Sequence, residues 1–247
     1  MKTYIVIAIV LSIIYIIYLF RREIKWFLRE IQVKLKYLND VKKIQSRGMN
    51  KRNLSNDEIK KYIQMSKEYL RELNIDINKK FILRDDLERH LRYSRFSEKA
   101  MNELLNDVLQ HMNINIQNIK LKINYISSKK GMHYAGLYSE KQYGLNEPII
   151  VINIRNDMTM DTVISIVAHE CTHHLLLSNK IRLEKVQENE CLTDVTALVL
   201  GFGKFMKEGY KIFNKIIYDS EFKRTINKDR VGYLSYKDVK YVLRYIR

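Results

Sequence analysis

The chain is poor in the residues that break or cross-link a fold, with one proline, eight glycines and two cysteines in 247 residues. Two cysteines cannot build the disulfide framework of a small secreted protein, so that class is excluded. Acidic residues are also few, with 28 against 44 basic residues and a formal charge of +16. The abundance of Lys, Ile, Asn and Tyr fits an AT-rich coding genome as well as a selected basic surface. Since no basic motif with interleaved aromatic residues accompanies the charge, nucleic acid is a disfavoured partner.

The longest uncharged run, Tyr4–Phe20, ends at Arg21 and Arg22. At about 1.5 Å per helical residue it reaches roughly 25 Å, the short end of what crosses a bilayer. Bulky residues stand where a signal peptide would have small ones, so the sequence predicts a permanent transmembrane helix in the cell membrane. An interfacial helix or a buried core helix is the alternative. Because basic residues cluster after the run, we expect the body of this single-pass protein in the cytoplasm.

The chain is predicted to have three regions. Residues 1–22 form the anchor, residues 23–54 a basic amphipathic helix and linker, and residues 55–247 the main domain. The amphipathic segment either lies on anionic lipid or packs on the main domain with a solvated basic face. With a hydrophobic share of 46%, the main domain can bury a substantial core.

The pattern His-Glu-x-x-His occurs once, at His169, Glu170 and His173. Residues four apart on a helix project from one face, so both imidazoles can close on a single Zn²⁺. Glu170 lies beside that position and is placed to take a proton from a water activated by the metal. Because so short a pattern also arises by chance, further ligand residues are needed to support it.

A second set of residues follows at Glu190 and Asp194. If their helix folds back on the first, Glu190 can complete a His₂Glu site and leave the fourth position to water. Asp194 lies one turn on and can accept the second ring N–H of a ligand histidine, which fixes that ring. The two cysteines, Cys171 and Cys191, are interpreted as small buried thiols rather than ligands or nucleophiles.

Together, His169-Glu170-x-x-His173 and Asn189-Glu190-x-x-x-Asp194 resemble the gluzincin zinc metallopeptidases, the thermolysin-like clan. The metzincin pattern is absent, because it requires Gly and His where this chain has Leu176 and Asn179. The resemblance implies one Zn²⁺ per chain, a protein or peptide substrate, and these roles: His169, His173 and Glu190 as ligands, Glu170 as general base, and Asp194 as partner of His169.

Together with the surrounding pattern, the resemblance implies an α+β zincin-like catalytic domain with a small sheet, an active-site helix and a C-terminal helical lobe, behind one N-terminal transmembrane helix. Ser55, Ser97 and Ser235 are predicted helix caps, and the motif helix is predicted to start near Thr159. Alternating apolar residues predict strands at 119–125 and 148–154. In the resembled family a strand at the cleft pairs with substrate, and either strand can do so. Residues with side chains suited to polarise the scissile carbonyl lie at 131–134 and at Tyr143.

Two functions from different classes are compatible with these patterns. The first is a membrane-anchored zinc metalloendopeptidase. The second is a membrane-tethered basic module that binds anionic lipid or nucleic acid and has a structural zinc. A structural zinc is usually closed by four Cys or His ligands, whereas this chain offers three ligands and a base, which favours the peptidase.

Overall fold

A computed structural model describes residues 54–114, 119–126, 135–140, 147–156, 158–210 and 232–246, and the backbone of two further strands at 213–218 and 224–229. The chain divides into two compact units, Met1–Asn50 and Lys51–Arg247. In the first unit only Tyr15, Phe20 and Arg21 are described, each helical and exposed. The second unit contains the two sequence motifs, and the predicted domain boundary at residue 55 stays a prediction.

The predicted transmembrane anchor and the cell-membrane location are corrected by the structure. Within the part of the chain that the structure describes, every helix is too short or too polar to cross a bilayer. The Tyr4–Phe20 run itself lies outside the described residues apart from Tyr15 and Phe20. The prediction rested on the length and lack of charge of this run and on the bulky and basic residues at its end, and a run at the short end of the spanning range also fits a helix that does not span.

Three helices come first in the second unit. The predicted caps are confirmed: Ser55 and Glu58 form a reciprocal capping box, and the Ser97 side chain accepts a hydrogen bond from the Ala100 amide. These side chains satisfy amide groups that have no partner at a helix start. The apolar faces of the helices are buried, including Leu70, Leu87 and Leu104. The bounds are α1 Asn56–Glu72, α2 Asp85–Tyr93 and α3 Glu98–His111.

A three-stranded sheet follows, comprising β1 Lys120–Ile126, β2 Gly136–Ser139 and β3 Ile149–Arg155, in the order β1-β3-β2. Strand β3 is central, parallel to β1 and antiparallel to β2. Its residues 149–154 are all buried, because it is paired on both sides and covered by helices. Strand β2 therefore forms one edge of this sheet, beside the helix that comes next.

That helix, α4 Met160–Ser178, carries the His-Glu-x-x-His motif and starts next to Thr159 as predicted. The Thr159 side chain caps it by accepting a hydrogen bond from the Thr162 amide. Every residue from Thr162 to Thr172 is buried, so the helix runs through the core. It packs against β2, β3 and the following helix, α5 Val186–Ala197, which carries the second motif. The fold thereby places the two motifs on facing helices.

Helix α5 continues into a π-helical turn, Leu198–Phe202, and then into α6 Gly203–Gly209. Gly201 breaks the helical path with φ of 92°, in the left-handed region that glycine adopts without strain. A side chain at this position would collide with the backbone of Lys79. The kink is fixed from outside by His111, whose Nε2 lies 2.7 Å from the Leu200 carbonyl oxygen.

The C-terminal region corrects the predicted fold class. Instead of a helical lobe alone, an antiparallel hairpin of β4 Phe213–Tyr218 and β5 Arg224–Asp229 precedes the last helix, α7 Tyr236–Tyr245. The main sheet also contains a parallel pair, so the architecture is a mixed α/β fold rather than the predicted α+β domain behind an anchor. Alternation of apolar residues indicates a strand, but neither its direction nor its partner.

Candidate metal centre

The two motif histidines lie side by side on α4. Their ring centroids are 4.6 Å apart and their planes are nearly perpendicular, at 86°. His169 is buried and His173 is half-buried, so the pair lies at the boundary between the core and the solvent-accessible surface. Spacing of four residues on a helix produces this neighbourhood without any tertiary contact.

Glu190 on α5 closes the group. Its Oε2 lies 3.1 Å from Nε2 of His169 and 2.9 Å from Nε2 of His173. One ligand atom from each of the three residues falls within 4.8 Å of the others, close enough to share one metal ion. Because α4 and α5 face each other, the three predicted ligands His169, His173 and Glu190 lie together.

The second nitrogen of each histidine is held by a group on α5. Nδ1 of His169 lies 2.8 Å from Oδ1 of Asp194, and Nδ1 of His173 lies 3.3 Å from Oγ1 of Thr193. The Thr193 hydroxyl donates its own hydrogen to the carbonyl oxygen of Asn189, at 2.8 Å, so towards His173 it accepts. Both imidazoles therefore carry their hydrogen on Nδ1 when neutral, and both point an Nε2 lone pair at Glu190.

The convergence of both Nε2 atoms on Glu190 favours a cation between them. With both imidazoles neutral, two lone pairs and a carboxylate oxygen converge with no polar hydrogen among them, and acceptors at this spacing are held together by a shared proton or a metal ion. Burial lowers the pKa of His169, but Asp194, Glu190 and Glu170 together raise it well above its ordinary value. Burial raises the pKa of Glu190, but the charges and hydrogen bonds of His173 and His169 hold it well below its usual range. Two nitrogen donors and one carboxylate oxygen are the donor set of a catalytic zinc site, and the residues fit that ion.

Glu170 follows His169 but faces the sheet. It is only 5% exposed, and the backbone amide of Tyr138 on β2 donates a hydrogen bond to its carboxylate. Burial raises its pKa, with His169 and His173 opposing this shift. Strand β2 approaches so closely at Gly136 that a side chain there would press on Oε1 of Glu170 and on Ile166. A carboxylate of raised pKa beside a metal position can accept and return a proton.

Asp194 accepts four hydrogen bonds. Its Oδ1 accepts from His169 and from the Tyr210 hydroxyl, and its Oδ2 accepts from the amides of Tyr233 and Leu234 at 2.7 and 2.9 Å. The carboxylate is fully buried, and four donors saturate it as an ionised acceptor. Burial and the neighbouring Asp194 charge raise the pKa of Tyr210 well above its ordinary value, so the phenol keeps the hydrogen that it donates.

A tyrosine–histidine pair lies one turn beyond Glu170. The Tyr138 hydroxyl is 3.0 Å from Nδ1 of His174, and the two rings meet edge to face. Burial lowers the pKa of His174, and burial raises the pKa of Tyr138 to about 12, with Glu140 adding to that rise. The pair fastens the end of β2 to α4, and His174 makes no contribution to the three-ligand group.

The sequence did not single out several of these residues. Thr193 is adjacent to Asp194 and lies one turn after Glu190, so its spacing alone could have identified it. Gly136 is one of few glycines in the chain, but the need for a glycine at this position follows only from the close approach of β2 to α4. Tyr210 and Tyr233 donate hydrogen bonds to Asp194. No sequence pattern near either residue indicates this role, because both lie outside the two motifs.

Other residues considered from sequence lie away from the group or outside the described residues. Cys171 and Cys191 are buried and are not joined in a disulfide, and burial raises the pKa of Cys171 well above its ordinary value. The segment at 131–134 and Tyr143, considered for polarising a carbonyl, lie outside the described residues.

Comparison with known proteins gives no further assignment. No protein-family model, no curated protein and no solved structure matches the chain.

Proposed function

We propose that the chain is a zinc-dependent metallopeptidase of the gluzincin type, with His169, His173 and Glu190 holding one zinc ion. The observation that carries this proposal is the convergence of three acceptor atoms within 4.8 Å, each aimed by its own neighbours. A shared proton would satisfy such a group only in part, whereas a divalent ion satisfies all three. Imidazole nitrogen with carboxylate oxygen favours zinc over magnesium or calcium, which prefer oxygen ligands alone.

A catalytic role is supported by what accompanies the ligands. A structural zinc is typically enclosed by four protein ligands. The described residues supply three ligands and, next to them, Glu170, which is not one of the three. When bound, zinc in such a site polarises a carbonyl group and lowers the pKa of water. The chain itself supplies Glu170, which takes the proton from the attacking water and returns it to the leaving amine.

Strand β2 offers a place for the substrate. The Asn153 amide donates to the Ala135 carbonyl oxygen at 2.8 Å, so the backbone of alternate residues Gly136 and Tyr138 faces away from β3. Among the described residues no strand pairs with this edge of β2. The edge faces Glu170, to which the Tyr138 amide donates. An extended peptide can pair with such an edge through backbone hydrogen bonds, whatever its side chains. Strand β3 is paired on both sides and is excluded from that role.

The metal assignment is tested on purified protein. We expect about one zinc per wild-type chain by elemental analysis, loss of zinc in His169→Ala, and retention in the matched variant His174→Ala. If His169→Ala still binds zinc, the metal site is not the one on α4. Activity is tested separately by incubating the zinc-loaded protein with a complex peptide mixture and identifying new termini by mass spectrometry. Zinc binding without any cleavage would reject the peptidase while keeping the metal centre.

A further inference from the structure

The C-terminal segment supplies part of the setting of His169. Tyr233 and Leu234 donate both of their amides to one oxygen of Asp194, and the Tyr233 ring stacks on the His169 ring at 5.8 Å, with planes 18° apart. The other oxygen of Asp194 accepts from His169 and from Tyr210. Asp194 is thus the point where α4, α5, the end of α6 and the C-terminal segment meet.

Tyr210 is itself fixed on both sides. It is only 4% exposed, and its ring occupies the space where a side chain at Gly232 would lie. Gly232 has φ of 81°, which only glycine adopts without strain. The absence of a side chain at Gly232 therefore lets the phenol reach Asp194 while the next two amides reach the same carboxylate.

We propose that Tyr210 is a positioning residue for the zinc ligand His169, acting through Asp194, and that the Gly232–Leu234 segment is a structural part of the metal centre. The inference rests on the proposed zinc site. Rotation of the Asp194 carboxylate would move Oδ1 away from Nδ1 of His169 and turn the imidazole. The Tyr210 hydroxyl and the two amides oppose that rotation, since they bind both oxygens.

Removal of the hydroxyl leaves Oδ1 with His169 as its one donor in the described contacts. Loss of a group that orients a ligand typically costs about 10–100-fold in metal affinity. Tyr210 acts one contact further out, so we expect about a tenfold weaker affinity, at the low end of that range. Zinc stoichiometry at saturating metal stays unchanged, because all three ligands remain.

The test compares Tyr210→Phe with Tyr125→Phe in the full chain. Tyr125 is a matched control, because its hydroxyl also donates one hydrogen bond, to the Phe96 carbonyl oxygen at 2.6 Å, but on β1. Zinc affinity is measured by competition with a chromophoric chelator, and the rise of the thermal midpoint on adding zinc is measured beside it. A purely structural role lowers the midpoint equally with and without zinc. A positioning role also reduces the zinc-dependent rise.

The outcomes separate the two proposals. If wild type binds no zinc, the proposed function fails and this inference fails with it. If wild type binds zinc and Tyr210→Phe matches Tyr125→Phe in affinity and zinc-dependent rise, the positioning role is rejected while the metal site stands. If Tyr210→Phe does not fold, Gly232→Ala provides the second variant. Its side chain displaces the Tyr210 ring without removing a polar group, and it must weaken zinc affinity for the inference to hold.

Discussion

Nδ1 of His169 lies 2.8 Å from Oδ1 of Asp194, although the two residues are 25 positions apart in the chain. This contact joins α4 and α5 through the ring nitrogen of His169 that faces away from Glu190. Because it fixes which nitrogen of His169 carries the hydrogen, it determines that Nε2 offers a lone pair. The chemistry of the site therefore depends on how α4 and α5 pack.

Replacement of Glu170 by Gln is expected to leave zinc binding and folding intact and to abolish most peptide cleavage. The amide keeps the shape of the carboxylate but cannot accept the proton, and general-base assistance is worth about 10²–10⁴-fold. The rate of peptide cleavage, at equal zinc content, is the measurement. Glu188→Gln on α5 is the control, because it removes a carboxylate outside the three-ligand group. Equal rates in both variants would remove Glu170 from the mechanism.

Gly136→Ala is expected to lower activity while zinc stays bound. The added methyl group would press on Glu170 and lie 2.7 Å from Cγ2 of Ile166, so either β2 or the carboxylate must move. A displacement of about 1 Å in a reacting group can cost on the order of 10²-fold in rate. Steady-state kinetics and zinc content check this together. Gly203→Ala is the matched control, since the three atoms nearest to the new methyl group all belong to the Leu243 side chain. A similar loss there would point to general destabilisation.

Removal of zinc is expected to lower the stability of the fold. An ion that binds only the folded chain adds about 2.7 kcal/mol at a hundred times its dissociation constant, and about 2–4 °C in thermal midpoint per kcal/mol for a chain of this size. Thermal unfolding in chelator and in excess zinc measures the shift. The double variant His169→Ala, His173→Ala should show no zinc-dependent rise. An equal rise with Mg²⁺ would argue against the nitrogen-containing ligand set.

Acid is expected to destabilise the chain partly through His111. Burial lowers the pKa of His111, the Leu200 carbonyl opposes that shift, and of the charged groups near it Lys79 lowers the pKa while Asp76 raises it. The unfolded chain therefore takes up this proton first as pH falls. The stabilisation is complete above the unfolded-chain pKa of about 6.5 and is lost as pH falls towards the lower folded-state pKa.

The difference between wild type and His111→Gln isolates this effect, because Gln keeps a donor for the Leu200 carbonyl. Urea unfolding at a series of pH values between 5 and 8, in chelator, is the measurement. We expect the wild-type free energy of unfolding to fall more steeply with acid than that of the variant, by less than about 1.4 kcal/mol per pH unit. Parallel curves for the two proteins would exclude His111 as a source of the acid sensitivity.

Local features of the fold were predictable from local sequence. The helices predicted to begin at Ser55, Ser97 and Ser235 are confirmed. A helix cap is a contact within one turn, so it depends on neighbouring residues in the sequence. The predicted strands at 119–125 and 148–154 correspond to β1 and β3 with a shift of one residue. Alternation of apolar residues carries this information over a few positions.

Contacts distant in sequence were not predictable. Strand β2 stands among glycine-containing loops, and its place beside Glu170 depends on pairing with β3. Tyr210 and Tyr233 reach Asp194 through packing of segments that share no pattern with the motif. The hairpin of β4 and β5 was missed in a region interpreted as helical, and the anchor was inferred from the hydropathy, length and flanking residues of one segment. The roles assigned to the five motif residues stay predictions that the experiments above address.

The Tyr210 hydroxyl and the Tyr233 amide both donate to the Asp194 carboxylate, although the two residues are separated in the chain by β4 and β5. The chain between Tyr210 and Tyr233, which includes β4 and β5, therefore begins and ends beside the same carboxylate. Doubling the length of a flexible loop costs only about 0.6 kcal/mol in closure entropy. We expect insertions and deletions to be tolerated in this segment and not between α4 and α5, so that chains of different length here can still keep the three residues that we propose as zinc ligands.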